Sequence, residues 1–246
     1  MSDFTLIKGT FHVVGFSPDG DSLMFRANNP KNWEKFHTTY RDIFNERLLQ
    51  NDGAVQLRLQ GIDALETHYS PTLLPTPAHL KDKERDTIQK PTAKSYNQPE
   101  LYANKATAVI LNYLGVEKAE WASRWGHSWI DKAWIRNGRK TTLVENKLAD
   151  AIPGYIITND VERKGRPIAW VFAGTTRSRD GSQYSKSQLA TRIERSANYH
   201  LLEQGVVYPY FFMTLPAVLR SRLIQAVEKA QANAAKKKTC GAKTAP

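Results

Sequence analysis

Cysteine is almost missing from this chain: Cys240, in a polar tail, is its only one among 246 residues. A lone cysteine excludes an intramolecular disulfide and a cysteine zinc cluster, and a reducing compartment is the simplest setting for it. Long apolar runs are missing too, since none approaches the ~20 residues that span a bilayer. The start, Met1-Ser2-Asp3-Phe4-Thr5, lacks the basic-then-apolar order of a signal peptide. The expectation is a cytoplasmic protein, with secretion by a different route left open. Acidic residues are in short supply: 24 Asp and Glu face 35 Lys and Arg, which leaves a formal charge of +11 and a pI near 9.7. A field of that sign favours polyanions, and nucleic acid is a better candidate than a membrane surface. The length suits one decorated domain.

The densest chemistry lies in Arg58-Leu59-Gln60-Gly61-Ile62-Asp63-Ala64-Leu65-Glu66. Val55, Leu57 and Leu59 alternate with Gln56, Arg58 and Gln60, the period of a strand with one buried face. Arg58 falls on the polar face. Asp63 and Glu66 fall on the exit loop after Gly61. Two carboxylates so close are costly unless a cation or arginines neutralise them.

Upstream, residues 7 to 26 read as a hairpin whose turn contains Asp19-Gly20-Asp21-Ser22, where Asp-Gly is a strong turn signal. Taken alone, Asp19 and Asp21 are ordinary turn chemistry. Trp33, Phe36, Tyr40, Ile43, Phe44, Leu48 and Leu49 predict a short amphipathic helix packed on the body within residues 27 to 53. Residues 67 to 103 carry five prolines and a charged run, and read as a long surface loop. Ala106, Val109, Ile110, Tyr113 and Leu114 form a helical stripe stopped by Gly115.

Trp121, Trp125 and Trp129 recur every four residues, with Trp134 beyond, among several basic residues. The spacing predicts a helix burying an indole stripe. A basic aromatic platform for single-stranded nucleic acid is the competing reading. Two strands, Ile152 to Thr158 and Ile168 to Ala173, are joined by a turn at Lys164-Gly165-Arg166. A helix capped by Ser187 and stopped by Gly205 places Leu189, Ile193, Ala197 and Leu201 inward. Val206 to Phe212 reads as a strand, and a last helix begins near Pro216 with Leu219, Leu223, Ala226 and Val227 on one face. It fades into a basic tail, residues 233–246, expected to be disordered.

Four of these stretches resemble, in order, motifs of the staphylococcal nuclease (thermonuclease-like) family. Asp19-Gly20-Asp21-Ser22 resembles its Asp-Gly-Asp-Thr hairpin. Arg58 through Asp63-Ala64-Leu65-Glu66-Thr67 resembles its Arg-to-Asp-x-Pro-Glu-Thr segment. Lys164-Gly165-Arg166 with Ala169 resembles its Tyr-Gly-Arg-x-x-Ala turn, and Asn198 through Gly205 resembles its Asn-x-x-Leu helix end. The resemblance implies an α+β fold, a five-stranded oligonucleotide-binding (OB) barrel with packed helices. That single domain would carry insertions at about 27–53, 68–103 and 116–151.

A phosphodiester repels a nucleophilic water, and attack piles further charge on its oxygens. Hydrolysis therefore calls for a hard cation, positive clamps and a base. The resemblance assigns these parts. Asp21, Asp63 and the backbone carbonyl of Ala64 would hold Ca²⁺, Glu66 would orient or deprotonate the water, and Arg58 and Arg166 would clamp the phosphate. Lys164, Tyr210 and Phe211 are candidates for contacting nucleic acid. Leu65 stands where the family has proline, and Lys164 where it often has tyrosine. The expected activity is Ca²⁺-dependent endonucleolytic cleavage of DNA, with RNA as a further substrate and little sequence specificity. The alternatives are a non-catalytic nucleic-acid-binding or scaffold module of the same fold, and a plain surface salt-bridge network.

Overall fold

The first strand, β1 (Phe4–His12), leads into β2 (Ser22–Ala27), a 3-10 turn at Pro30–Lys35 and helix α1 (Arg41–Gln50). After them come β3 (Ala54–Leu59), β4 (Ile62–Asp63) and α2 (Glu100–Tyr113). Strands β5 (Val116–Arg124), β6 (His127–Asn137) and β7 (Lys140–Val144) precede β8 (Ile152–Val161), β9 (Pro167–Ala173) and β10 (Gln183–Tyr184). The chain continues through α3 (Lys186–Ala190), a 3-10 turn at Ile193–Arg195, α4 (Ala197–Glu203), β11 (Tyr208–Pro209) and α5 (Ala217–Gly241). This computed structural model describes residues 4–65, 100–125, 127–211 and 215–241. The expected loop lies outside the described residues up to position 99, as does Glu66, while its last four positions, 100–103, are helical and open α2.

Strands β1, β2, β3, β9 and β8 follow one another by hydrogen bonding, and β8 returns to β1. The result is a closed five-stranded mixed barrel of OB-like form. Closure needs close approach of the backbones. Gly9 of β1 sits opposite Gly154 of β8. A Cβ on Gly9 would meet the Phe25 ring at 2.5 Å, and one on Gly154 would meet the Phe11 ring at 2.2 Å. The missing side chains make room for that pair of rings, whose centroids are 5.1 Å apart. The only parallel pairing in the barrel joins β3 to β9, with Arg58 opposite Ile168 and Leu59 opposite Ala169.

The segment between β2 and β3 packs only in part as expected: Trp33, Phe36 and Phe44 are buried, with Trp33 edge-on to Phe25 at 6.3 Å and 5.2 Å from Phe44, but Tyr40, Ile43 and Leu49 are exposed and the helix is divided from the 3-10 turn that carries Trp33. The stripe of α2 is also as expected, with Ala106 and Ile110 fully buried and Gly115 ending it at φ +89°. Leu219, Leu223 and Ala226 of α5 are buried, and Leu223 packs against Gly61 in the turn between β3 and β4. The same helix extends through Gly241, into residues where the sequence predicts a disordered tail.

Three expectations are corrected. The tryptophan-rich segment is a three-stranded antiparallel sheet, β5-β6-β7, with no helix among its described residues. A spacing of four is shared by one helical face and by alternate positions of a strand, so the periodicity did not separate them. The helix predicted from Ser187 is two shorter helices. Ser185 caps α3 through a capping box with Gln188, and Ser196 caps α4 by accepting from the Tyr199 N–H at 3.2 Å. The serine hydroxyl competes with helical backbone pairing and resets the helix there. Leu189, Ile193, Ala197 and Leu201 are nonetheless all fully buried. The run from Val206 is strand only at Tyr208–Pro209, because it pairs with the two-residue β4 alone.

Candidate functional site

The site grows from the long connection between β1 and β2. Asp150 fixes the start of that connection, accepting from the backbone N–H groups of Val13 and Val14 and lying 3.1 Å from His12 Nδ1. At its far end Asp19 bridges to Ser22, and the Asp19 carboxylate accepts from the Asp21 N–H at 3.2 Å. Gly20 is pressed between α2 and the exit of β4: a Cβ there would lie 2.5 Å from the Ala106 Cβ and 2.8 Å from that of Ala64. Asp21 is thereby delivered to the end of β3, where Ser22 pairs with Arg58 and the Leu59 N–H donates to the Asp21 carbonyl at 2.8 Å.

Arg58 lies between two carboxylates. One guanidinium nitrogen donates to Asp21 Oδ2, and the other donates to Asp63 Oδ1 and to the Ile62 carbonyl at 3.3 Å. The Ala64 N–H adds a 2.9 Å bond to Asp21 Oδ2. Asp21 is only 4% exposed, while the Asp63 side chain is half exposed and faces outward. Burial, reinforced by the charge of Asp19, pushes the Asp21 carboxyl up to about 7; Arg58 and the Ala64 N–H pull the other way, and Asp63 adds to the rise. Burial alone would lower Arg58, yet the Asp21 and Asp63 carboxylates outweigh it and hold the guanidinium above its ordinary value.

The cluster is thus short of positive charge even with Arg58 in place. Asp21 and Asp63 supply hard oxygens, the donor type that suits Ca²⁺, whereas the backbone group that Ala64 brings to Asp21 is its N–H and not the expected carbonyl. Among the described residues no three His, Cys, Asp or Glu side chains converge as a metal-holding group. Backbone carbonyls and water would have to complete any shell.

The remaining candidates lie on other elements, and the turn of Lys164 and Arg166 packs its Gly165 against Ile43 and Arg47 of α1. Arg166 immediately precedes β9, whose Ile168 pairs with Arg58, but its Nε donates to Glu162 Oε1 at 2.5 Å. Lys164 is exposed in the turn closed by the Gly165 N–H to the Glu162 carbonyl at 2.8 Å. Tyr210 is 48% exposed, and its N–H donates to the Gly61 carbonyl at 3.0 Å, which ties it to the site turn. Phe211 is half-buried against the core.

Four further residues shape the site beyond those the sequence singled out for it. Asp19 acts on Asp21 electrostatically as well as through the turn. Glu162 holds Arg166. Tyr208, 60% exposed, is the cross-strand partner of Asp63, which places an open aromatic ring beside the outward carboxylate. Asn198, fully buried, donates to the carbonyls of Gln60 at 2.9 Å and Ala169 at 3.0 Å and accepts from the Val171 N–H at 3.0 Å. It stitches α4 to the ends of the two parallel strands that bracket the site. A lone amide among apolar helix positions was the signal for it.

These features define a class: an α+β protein built on a closed five-stranded OB-like barrel, with a buried aspartate and an arginine at one end of the parallel strand pair. No protein-family model matches the chain, and no curated protein matches it either.

Proposed function

We propose that the protein is a Ca²⁺-dependent endonuclease that hydrolyses phosphodiester bonds of DNA and RNA with little sequence preference, as the resemblance to the staphylococcal nuclease family implies. The observation that carries the reading is the convergence of Asp21, Arg58, Asp63 and Ala64 from separate strand ends onto one half-open cluster. Asp21, Asp63 and the Ala64 carbonyl would hold the ion, which supplies positive charge and Lewis acidity when bound. Arg58, held by two carboxylates, would exchange one of them for a phosphate oxygen. Arg166 would leave Glu162 to clamp the same phosphate or the leaving oxygen. Glu66 would orient or deprotonate the attacking water. Tyr208 would stack on a base beside Asp63, and Lys164, Tyr210 and Phe211 are further candidates for contacting the strand.

One observation favours a second reading, a non-catalytic nucleic-acid-binding module. Both arginines already have carboxylate partners within the chain, so neither guanidinium presents its charge freely. Digestion of single- and double-stranded DNA and RNA with Ca²⁺ or with a chelator separates the two. The nuclease reading expects Ca²⁺-dependent products that Glu66→Gln and Arg166→Ala each reduce at least about 100-fold. Tight binding by the intact protein with no Ca²⁺-dependent cleavage leaves the binding module.

A further inference from the structure

The β5-β6-β7 sheet has no role in the site, yet it is built onto the element that forms it. The Gly15 N–H donates to the Ile130 carbonyl at 2.7 Å and the Ile130 N–H to the Phe16 carbonyl at 2.9 Å, within the same connection that carries Asp19 and Asp21. Helix α2 spans both regions. Ala106 presses on Gly20, while Asn104, Thr107, Leu111 and Asn112 face the sheet across a groove of about 610 Å³. Trp121 and Ser128 line the opposite wall.

The lining mixes apolar and polar side chains. Trp121 offers a 45% exposed indole between the amides of Asn104 and Asn112 and the apolar side chains of Leu111, Val116 and Ala119, a combination of ring face, apolar floor and hydrogen-bonding groups that a nucleobase satisfies on its face and edges. At the adjoining hairpin tip Trp125 is 84% exposed and held at φ 51°, a left-handed conformation that is strained for a bulky aromatic residue, with the Arg124 guanidinium 4.2 Å from its ring. Neither the exposure nor the backbone strain is repaid by packing. Charge of both signs is present, since Glu117 lines the groove and faces Arg136 at 3.8 Å, but several cations are left over. Lys118, Lys132 and Arg136 have carboxylate partners, whereas Lys105, Arg124, Arg139 and Lys140 have none among the described residues. Those four cations suit phosphates. The volume suits one or two unpaired nucleotides and is too small for a duplex.

We propose that this groove is a second subsite for single-stranded nucleic acid, with Trp121 stacking on a base, Trp125 and Arg124 receiving the next nucleotide, and the strand continuing along α2 toward Asp21. The proposal rests on the nuclease reading only for the strand's far end; the groove binds whether or not cleavage occurs. The test is fluorescence anisotropy of labelled oligothymidylates of about three and about twelve nucleotides and of a duplex of the longer length, with the full chain in chelator. The longer single strand is expected to bind at least tenfold tighter than the duplex. Trp121→Ala weakens it about tenfold and Trp121→Phe restores most of the loss, with the melting temperatures of all three proteins compared. Unchanged affinity in Trp121→Ala, or equal competition by polyglutamate and by the oligonucleotide, overturns the groove. An acidic protein partner is the occupant that second outcome indicates. Strand binding that depends on Trp121 in a protein that never cleaves sinks the nuclease reading and leaves the groove standing. Ca²⁺-dependent cleavage without any Trp121 dependence of binding does the reverse.

Discussion

Asp21 carries the most consequential charge in the molecule. Its carboxyl titrates near 7 when folded without metal, against an ordinary value of 3.8. Between those values the folded chain holds a proton that the unfolded chain has released, so stability rises as pH falls through that window and is lost as pH rises toward 7. The metal-free protein should be more stable at pH 5 than at pH 8 by up to about 3 kcal/mol from this group. Asp21→Asn should flatten the difference in a urea titration at the two pH values. A cation held at Asp21 as proposed would compete with that same proton. Apparent Ca²⁺ affinity, measured calorimetrically, should therefore climb with pH below about 7 and level off above it, with close to one proton released per ion bound at pH 6. At Arg166 the opposing partner is Glu162, with both side chains about one-fifth exposed. Glu162→Gln frees the guanidinium and is expected to tighten a short oligonucleotide several-fold at low salt.

Asn198 is the point where an element-scale consequence can be measured. Its amide satisfies two carbonyls and one N–H that would otherwise be buried between α4, β3 and β9. Asn198→Ala leaves those groups unsatisfied, and a loss of about 2–4 kcal/mol is expected in denaturant unfolding. Asn198→Asp keeps the acceptor for Val171, loses both donors, and should be no better. The elements themselves were partly legible before any coordinates. Alternation around Leu57 and the stripe through Ala106 and Ile110 specify one strand and one helix because a single face of each is buried. Trp121 through Trp134 misled because spacing alone cannot tell a helix stripe from a strand face, and the deciding facts were the tight turn at Trp125 and the pairing with β7. Ser187 misled by two residues, since the capping box needs Ser185 and Gln188 together. At the site, Asp21, Arg58 and Asp63 were legible as strand-end charges. The partner that Arg166 takes was hidden because it depends on how the turn at Gly165 folds back on Glu162.

The charge of +11 belongs to the whole molecule and gives a measurable signature. If site and groove hold one continuous strand, about four phosphates are contacted, and log affinity should fall against log salt with a slope of roughly −3. Removing Lys105 or Lys140 should lower that slope without changing sequence preference. The barrel seam sets a different kind of constraint. Leu6 pairs with Ile157, so β1 waits for a strand encoded far downstream before its second edge is covered. Lengthening the chain between them adds only about 0.6 kcal/mol of closure entropy per doubling, which is why an extra sheet can be accommodated there. The burden falls on time instead. High contact order slows folding, and until Ile157 arrives the N-terminal hairpin exposes an unpaired edge. The chain is therefore most open to misassociation during synthesis, before its C-terminal half can close the barrel.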